Sequence, residues 1–444
     1  MERFVTVRSF LRILGCIYLV AFVSFGTQAM GLIGSHGILP IGEYLAAARE
    51  AAGAAAYRDV PSVFWLGSSD WALRSAWILG ALGAVAAVAG FWQRAALAVC
   101  LILWLSICAV GQEFLSFQWD VLLLEAGFLA LFAAESAIRI WLFRWLLFRL
   151  MIFSGLVKLL SGDPVWRNLT ALRYHYETQP LPTPLAWYLH QLPMGFQKLS
   201  AGFVFLAELG APLLFFAPRR WRHIGAWITI GLQTLILLSG NYTFFNFLTI
   251  ALAMFLFIEP RQEDRRRAVS LALAGFIGLV SGLLFLELFS VSVPGGNLVL
   301  RLVGPLRIVN SYGLFAVMTT TRPEIVVEGS NDGVNWSPYE FRYKAGDPMR
   351  APPIVAPHQP RLDWQMWFAA LGTYQQNRWL VNFMIRLLEG EPSVLRLLEA
   401  NPFPGAPPKY IRGEMYLYHF TGWGERAWWR REDRGIYFPP VSLK

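Results

Sequence analysis

Long apolar runs constrain this chain more than any other feature. A hydrocarbon core takes about 20 apolar residues per helix, and nine stretches approach that length. They lie near 10–32, 72–92, 95–111, 118–135, 140–160, 197–217, 222–239, 242–258 and 268–290. Only 15% of the 444 residues are charged and mean hydropathy is +0.44, against about 25% charged in soluble domains. The net charge of +9 does not point to nucleic acid, because the arginines stand at the ends of apolar runs, where they set orientation. With Arg3, Arg8 and Arg12 in the cytoplasm, Arg94, Arg139, Arg144, Arg219, Arg220, Arg222, Arg261, Arg265, Arg266 and Arg267 fall on the same side. The connections 33–71, 112–117, 161–196 and 240–241 fall outside. Nine spans then leave the C-terminus outside too; an even span count would reverse that. The first run lacks a small-residue cleavage site and is expected to remain as a helix. Cys16, Cys100 and Cys108 lie in apolar runs, with neither a disulfide framework nor zinc spacing.

From Val291 onward the composition changes. Pro, Gly, Asp and Asn become frequent. Glu324–Glu328 and Trp336–Tyr343 alternate on either side of Ser330-Asn331-Asp332-Gly333, a hairpin signal. Leu380, Phe383, Met384, Leu387 and Leu388 share one helical face, and Tyr410–Phe420 reads as a strand. The expected architecture is a polytopic α-helical membrane bundle of about nine spans (1–290) followed by an exported β-rich α+β domain (291–444).

The stretch 153–193, FSGLVKLLSGDPVWRNLTALRYHYETQPLPTPLAWYLHQLP, is the least ordinary of the outer connections. Lys158 stands near the outer end of the fifth run. It reads either as a desolvated base or as a lysine reaching the headgroups. Asp163-Pro164 suits the start of a helix over Val165–Tyr176, which makes Asp163 a cap rather than a catalyst. Trp166 suits the membrane interface, and Arg167 has Asp163 and Glu177 as candidate partners. Tyr174, His175, Tyr176 and Glu177 form the densest polar-aromatic group. A carboxylate beside His175 would hold its tautomer. The bland alternative is a polar lid over the bundle mouth. Asp120, Glu125, Glu208 and Glu287 lie in or beside spans, and either line a polar cavity or form separate pairs. In the exported part, His358, Arg361, Asp363 and Trp364 follow a Pro-rich link. Arg361 and Asp363 read as an ion pair fixing that link, or as part of a surface that binds another protein. Trp336, Tyr339, Trp423 and Trp428 would suit apolar contacts with another protein, though most of them are expected to be core. No motif calls for a metal or cofactor, and there is no G-x-S-x-G elbow, H-E-x-x-H or Walker loop.

Four motifs in order, SGLVKLLSGDPVWRNLTALRYHYETQPLPTP, NYTFFNFLTIAL (241–252), RPEIVVEGSNDGVNW (322–336) and APHQPRLDWQMWFAALG (356–372), resemble the lipase maturation factor family. The resemblance covers about Phe10 to Tyr437. It implies a multi-pass membrane protein whose C-terminal domain faces the lumen or outside and assists exported clients, lipases among them, to mature. The excess of arginine over lysine and the alanine-rich loops point to a bacterial member, seated in the inner membrane. A eukaryotic member would sit in the endoplasmic reticulum membrane. Gly155, Lys158 and Trp166 are also similar to a pattern of the horizontally transferred transmembrane superfamily, which includes the vitamin K-dependent gamma-glutamyl carboxylases. That likeness implies a catalytic Lys158, hence the alternative of an enzyme modifying a lipid, quinone or exported protein with Lys158 and His175 in its site. Transport is disfavoured, since no inverted repeat is evident.

Overall fold

A computed structural model describes residues 6–443 except 262 and 265; the expected orienting residues Arg3 and Arg265 lie outside the described residues. Among those described, six helices are long and apolar enough to cross a membrane: Val7–Gly26, Asp70–Ala89, Gln93–Val110, Ala137–Leu160, Met194–Phe216 and Arg267–Leu288. The other three expected spans fall short for identifiable reasons. Gln118–Leu131 has 14 residues, about 21 Å at 1.5 Å per residue, against a core of about 30 Å. It is buried along most of its length, Asp120 and Glu125 included, so it lies inside the bundle. Phe245–Leu256 is shorter still. Arg219–Ser239 is long enough but opens on Arg219, Arg220 and Arg222 and carries Gln233.

The bundle has two chemically different ends. At one, arginines donate to carbonyls that helix termini leave open. Arg94 donates to Ala133 O, Arg139 to Phe132 O, Arg144 to Phe255 O and Ile258 O, and Arg222 to Leu256 O. The opposite end carries the C-terminal domain. Each of the four connections expected on one face touches that domain. Arg386 donates to Gly37 O, Gln365 to Glu113 O, Trp367 to Thr178 O and Asn241 to Pro353 O.

The C-terminal domain holds a four-stranded antiparallel sheet in the spatial order Ser337–Pro338, Arg322–Ser330, Tyr410–Phe420, Trp429–Val441. The expected hairpin is present, but its second arm is only two residues long, with Glu328 opposite Pro338 and Gly329 opposite Ser337. The helices Arg361–Ala370 and Arg378–Leu388 pack on the sheet. Leu380, Phe383, Met384, Leu387 and Leu388 are all buried, as their spacing requires. One continuous apolar core joins Phe10 and Leu14 of the first span to Trp364, Trp379 and Phe438 of this domain. The domain therefore sits on the bundle as a packed layer and not on a tether.

Candidate functional site

Lys158 does not reach for headgroups. It is 3% exposed and donates to both carboxylate oxygens of Glu208, at 2.9 and 2.8 Å, and to Ser154 O at 3.0 Å. The local backbone explains the pairing. The span Met194–Phe216 loosens into a π-helical turn at Leu206–Gly210, which turns Glu208 toward Lys158; such turns often mark special positions. Gly155 lets that turn close. A Cβ there would meet Leu209 Cδ2 at 2.5 Å and Glu208 Cβ at 3.1 Å. The Gly155-Lys158 spacing thus serves a close helix crossing with an ion pair one turn on. The Trp166 ring stands 5.3 Å from the ammonium, a cation–π distance.

The connection after Lys158 is shaped by its caps. Asp163 accepts from Val165 N at 2.9 Å and Pro164 opens the first turn. The expected single helix over Val165–Tyr176 is instead two, Pro164–Arg167 and Ala171–Thr178. Between them Leu169 takes a positive φ of 56°. This break turns His175 toward the bundle. Its Nε2 is 3.3 Å from the Tyr242 hydroxyl, which donates to Gln179 Oε1 at 3.0 Å. Burial and the nearby Lys158 charge push the His175 pKa down to about 4, so the ring is neutral at pH 7. Its expected carboxylate partner is not Glu177. The Glu177 carboxylate accepts from Phe420 N at 2.8 Å and faces His419 at 3.3 Å and His190 at 3.7 Å. Tyr176 is buried and its phenol pKa is raised to about 12 by that burial. Tyr174 is half-buried and packs in the same apolar cluster as Trp166 and Trp187. Arg167 is exposed, and among the described residues it forms no ion pair with Asp163 or Glu177.

The second expected group is arranged differently. Arg361 and Asp363 do not pair. Arg361 reaches down into the bundle and clamps Asp120 with both terminal nitrogens at 2.9 Å, donating to Phe114 O as well. Asp363 accepts from the amides of Tyr343 and Lys344 at 2.8 and 2.9 Å. Trp364 is buried against Trp119 and Phe117. The two groups meet through Tyr242, which lies in the motif NYTFFNFLTIAL but carries no assigned role there. Its ring stacks parallel to His175 at 6.5 Å and meets Trp364 edge-on at 5.8 Å. Phe315 closes the cluster, 4.9 Å from His175. Of the aromatics expected to meet a client, Tyr339 is buried, Trp336 and Trp428 are half-buried, and Trp423 is exposed.

The residues that hold the seat carry no role in the sequence either. Arg322 is fully buried and donates to the main-chain carbonyls of Glu177, Gln179 and Pro180. Asn241 donates to Leu181 O, Pro182 O and Pro353 O and accepts from Val355 N and Ala356 N. Glu125 pairs with Arg149 and also accepts from Asn310 and Tyr312. The visible signal for all of these is a polar side chain inside an apolar run or a long motif. Their partners lie far along the chain and leave no local pattern. Among the described residues no three His, Cys, Asp or Glu side chains converge as metal ligands would.

Comparison with known proteins covers both halves. Residues 5–262 match the lipase maturation factor transmembrane domain and residues 308–439 the lipase maturation factor C-terminal domain. The chain is 36% identical to lipase maturation factor 2 of Gallus gallus, over 98% of this chain and 81% of that one. It is 35% identical to lipase maturation factor 2 of Homo sapiens, over 98% and 82%. To lipase maturation factor 1 of Mus musculus it is 35% identical, over 98% and 86%. No solved structure matches. A helical membrane domain and a sheet-bearing C-terminal domain, matched in order over nearly the full length, show that this chain belongs to the lipase maturation factor family.

Proposed function

We propose that this protein is a membrane-embedded maturation factor for exported proteins, with lipase-like enzymes as clients, and that it acts without covalent chemistry. Residues 1–290 form its membrane unit. Residues 291–444 form the working unit; the arginine-rich opposite end of the bundle supports the outer face of a bacterial inner membrane or the lumenal face of an endoplasmic reticulum for it. The observation that carries this reading is an aromatic patch built by both units. Trp187 and Tyr188, from the connection after Lys158, pack with Trp423 of the C-terminal domain at 5.1 and 5.9 Å. Tyr188 is 47% and Trp423 65% exposed. Large aromatics presented on a rigid surface suit transient contact with an unfinished apolar chain. The names of the matched relatives support the client class.

The test uses a strain lacking this gene, complemented with wild-type protein, Tyr188→Ala or Trp423→Ala. Specific activity and abundance of a co-expressed exported lipase are measured. Loss of activity at unchanged lipase synthesis is expected on deletion, with partial loss in either variant. Full lipase activity in the deletion strain would remove the maturation reading.

A second reading has one observation in its favour. Lys158, Trp166, His175 and Tyr242 gather beneath the C-terminal domain, where an enzyme could work on a lipid, quinone or exported protein, with Lys158 and His175 as its catalytic residues. The distant likeness to the carboxylase superfamily supports the same idea. The bidentate hold of Glu208 on Lys158 accounts for a buried lysine without chemistry, so the folding reading is preferred.

A further inference from the structure

A cavity of about 660 Å³ opens where the first span meets the C-terminal domain. One wall is Leu19, Val20 and Val23 of the helix Val7–Gly26, with Val23 45% exposed. The facing wall comes from Val355, Pro357 and Leu362. Arg342 and Arg396 stand at the polar side, both exposed. Arg342 is held in place by donating to Leu398 O and Arg396 O, at 3.0 and 2.9 Å. The floor is polar. Ser24 Oγ lies 2.9 Å from His358 Nδ1 and accepts from Gln359 N at 2.9 Å. The one carboxylate in the lining, Asp363, is engaged by the Tyr343 and Lys344 amides.

This combination has a direction. The apolar wall is the last two turns of a membrane span, on the end that carries the C-terminal domain. Residues there lie at the level where acyl chains give way to headgroups. Basic residues at that depth attract anionic lipid heads. The volume falls in the range of small-ligand sites, which are mostly apolar with a few placed polar groups. Burial first, and then the charges of Arg361 and Arg342, push the His358 pKa down to about 4, so the ring on the floor adds no negative charge. The larger cavity of about 940 Å³, beside Arg267–Leu288, is lined by Glu287 as well as Arg301 and Arg307, and its mixed charge selects no ligand.

We infer that this cavity binds an anionic membrane lipid, its head held by Arg342 and Arg396 and an acyl chain lying along Leu19, Val20 and Val23. Because first span and C-terminal domain each supply a wall, the bound lipid bridges them. Docking of the domain then responds to bilayer composition.

The test places the full-length protein in phosphatidylcholine nanodiscs. These are doped with diazirine-tailed phosphatidylglycerol or, at equal mole fraction, diazirine-tailed phosphatidylcholine. After illumination, peptides are mapped by mass spectrometry. Expected is labelling of segments 19–27 and 355–362, about thirtyfold stronger with the anionic probe, since two basic residues at a membrane surface each confer about fivefold. Arg396→Glu should cut anionic labelling to the phosphatidylcholine level, and Val23→Trp, which fills the cavity, should cut both. Arg396 is exposed at the rim, so its variant tests the charge without opening the core. Equal labelling by the two probes, labelling untouched by Arg396→Glu, or loss of labelling in millimolar inorganic phosphate would each overturn the inference. The last outcome would indicate a site for free anions.

Discussion

Lys158 and Arg361 are both buried cations held by one carboxylate, yet they differ in what they join. Lys158 and Glu208 come from two spans of the bundle, 50 residues apart. Arg361 and Asp120 come from different domains, 241 residues apart. The chemistry follows the task. An ammonium is a compact point charge that a carboxylate can grip within a helix crossing, whereas a guanidinium fork fixes direction as well as distance. The Lys158 pair closes the membrane unit, and the Arg361 pair sets the C-terminal domain on top of it. Burial makes both strongly dependent on keeping two partners, since one charge left alone in the interior costs more than the pair gains.

The sharpest way to break this contrast is Arg361→Met. Asp120 then stays buried without its cation, at a cost of about 3–5 kcal/mol, and the C-terminal domain loosens. Thermal unfolding in detergent should fall steeply, and limited trypsin digestion should cut between residues 300 and 360. Arg361→Lys should recover only part, because one ammonium cannot replace both nitrogens and the bond to Phe114 O. A protease pattern like that of the wild type in Arg361→Met would show that the pair does not seat the domain.

Lys158→Met should cost a similar amount, about 3 kcal/mol or more, but with the domain still protected from protease. The double change Lys158→Met with Glu208→Leu should return to within about 1–2 kcal/mol of wild type, because apolar replacement of a whole buried pair is often neutral. The double variant also separates the two functional readings: lipase maturation survives it if Lys158 is structural and is lost if Lys158 is a base. Asn241→Asp comes next in size. It removes the donors to Leu181, Pro182 and Pro353, and roughly 1–3 kcal/mol follows from the unpaired buried groups. Its expected signature is faster hydrogen exchange in both 178–184 and 353–356.

The smallest effect, read between about pH 7 and about pH 5.5, is a pH dependence. His175 and His358 both have folded-state pKa values near 4, below the ordinary value of about 6.5. The unfolded chain therefore takes up protons first as pH falls. For these two groups, stability is full above about pH 6.5, declines from there to about pH 4, and is flat below. From about pH 7 to about pH 5.5 the loss is up to roughly 1 kcal/mol per histidine. His175→Gln should flatten its share of the melting curve against pH; an unchanged slope would mean that the ring is not held neutral.

Much of this architecture is legible along the chain. The spans that carry full-length apolar runs, the cap at Asp163, the helix of Leu380 and Leu387, and the strand Tyr410–Phe420 all follow from local pattern. The strand Trp429–Val441 does not, because its run Arg430–Arg434 reads as a charged tail. It is an edge strand, and charge on an edge discourages pairing with another chain. Gln118–Leu131 reads as a span because apolar content does not distinguish lipid from protein surroundings. The helix break at Leu169 has no Gly or Pro to announce it. The site is half visible in the sequence. Lys158, His175 and Arg361 stand out there, while Glu208, Asp120 and Tyr242 can be matched to them only in three dimensions.

The crossing of Asp120 by Arg361 has a consequence for the order of events during synthesis. The chain is made from the N-terminus at roughly 5–20 residues per second, so Asp120 and Glu125 enter the bundle roughly ten seconds to most of a minute before Arg361 emerges. Tyr312 and Asn310, which complete Glu125, arrive late as well. Until then the membrane unit carries carboxylates without their full complement of partners. The nascent bundle is an unfinished object that waits for its own last third. Truncation before residue 361 should leave it as a target for membrane quality control rather than as a smaller working protein.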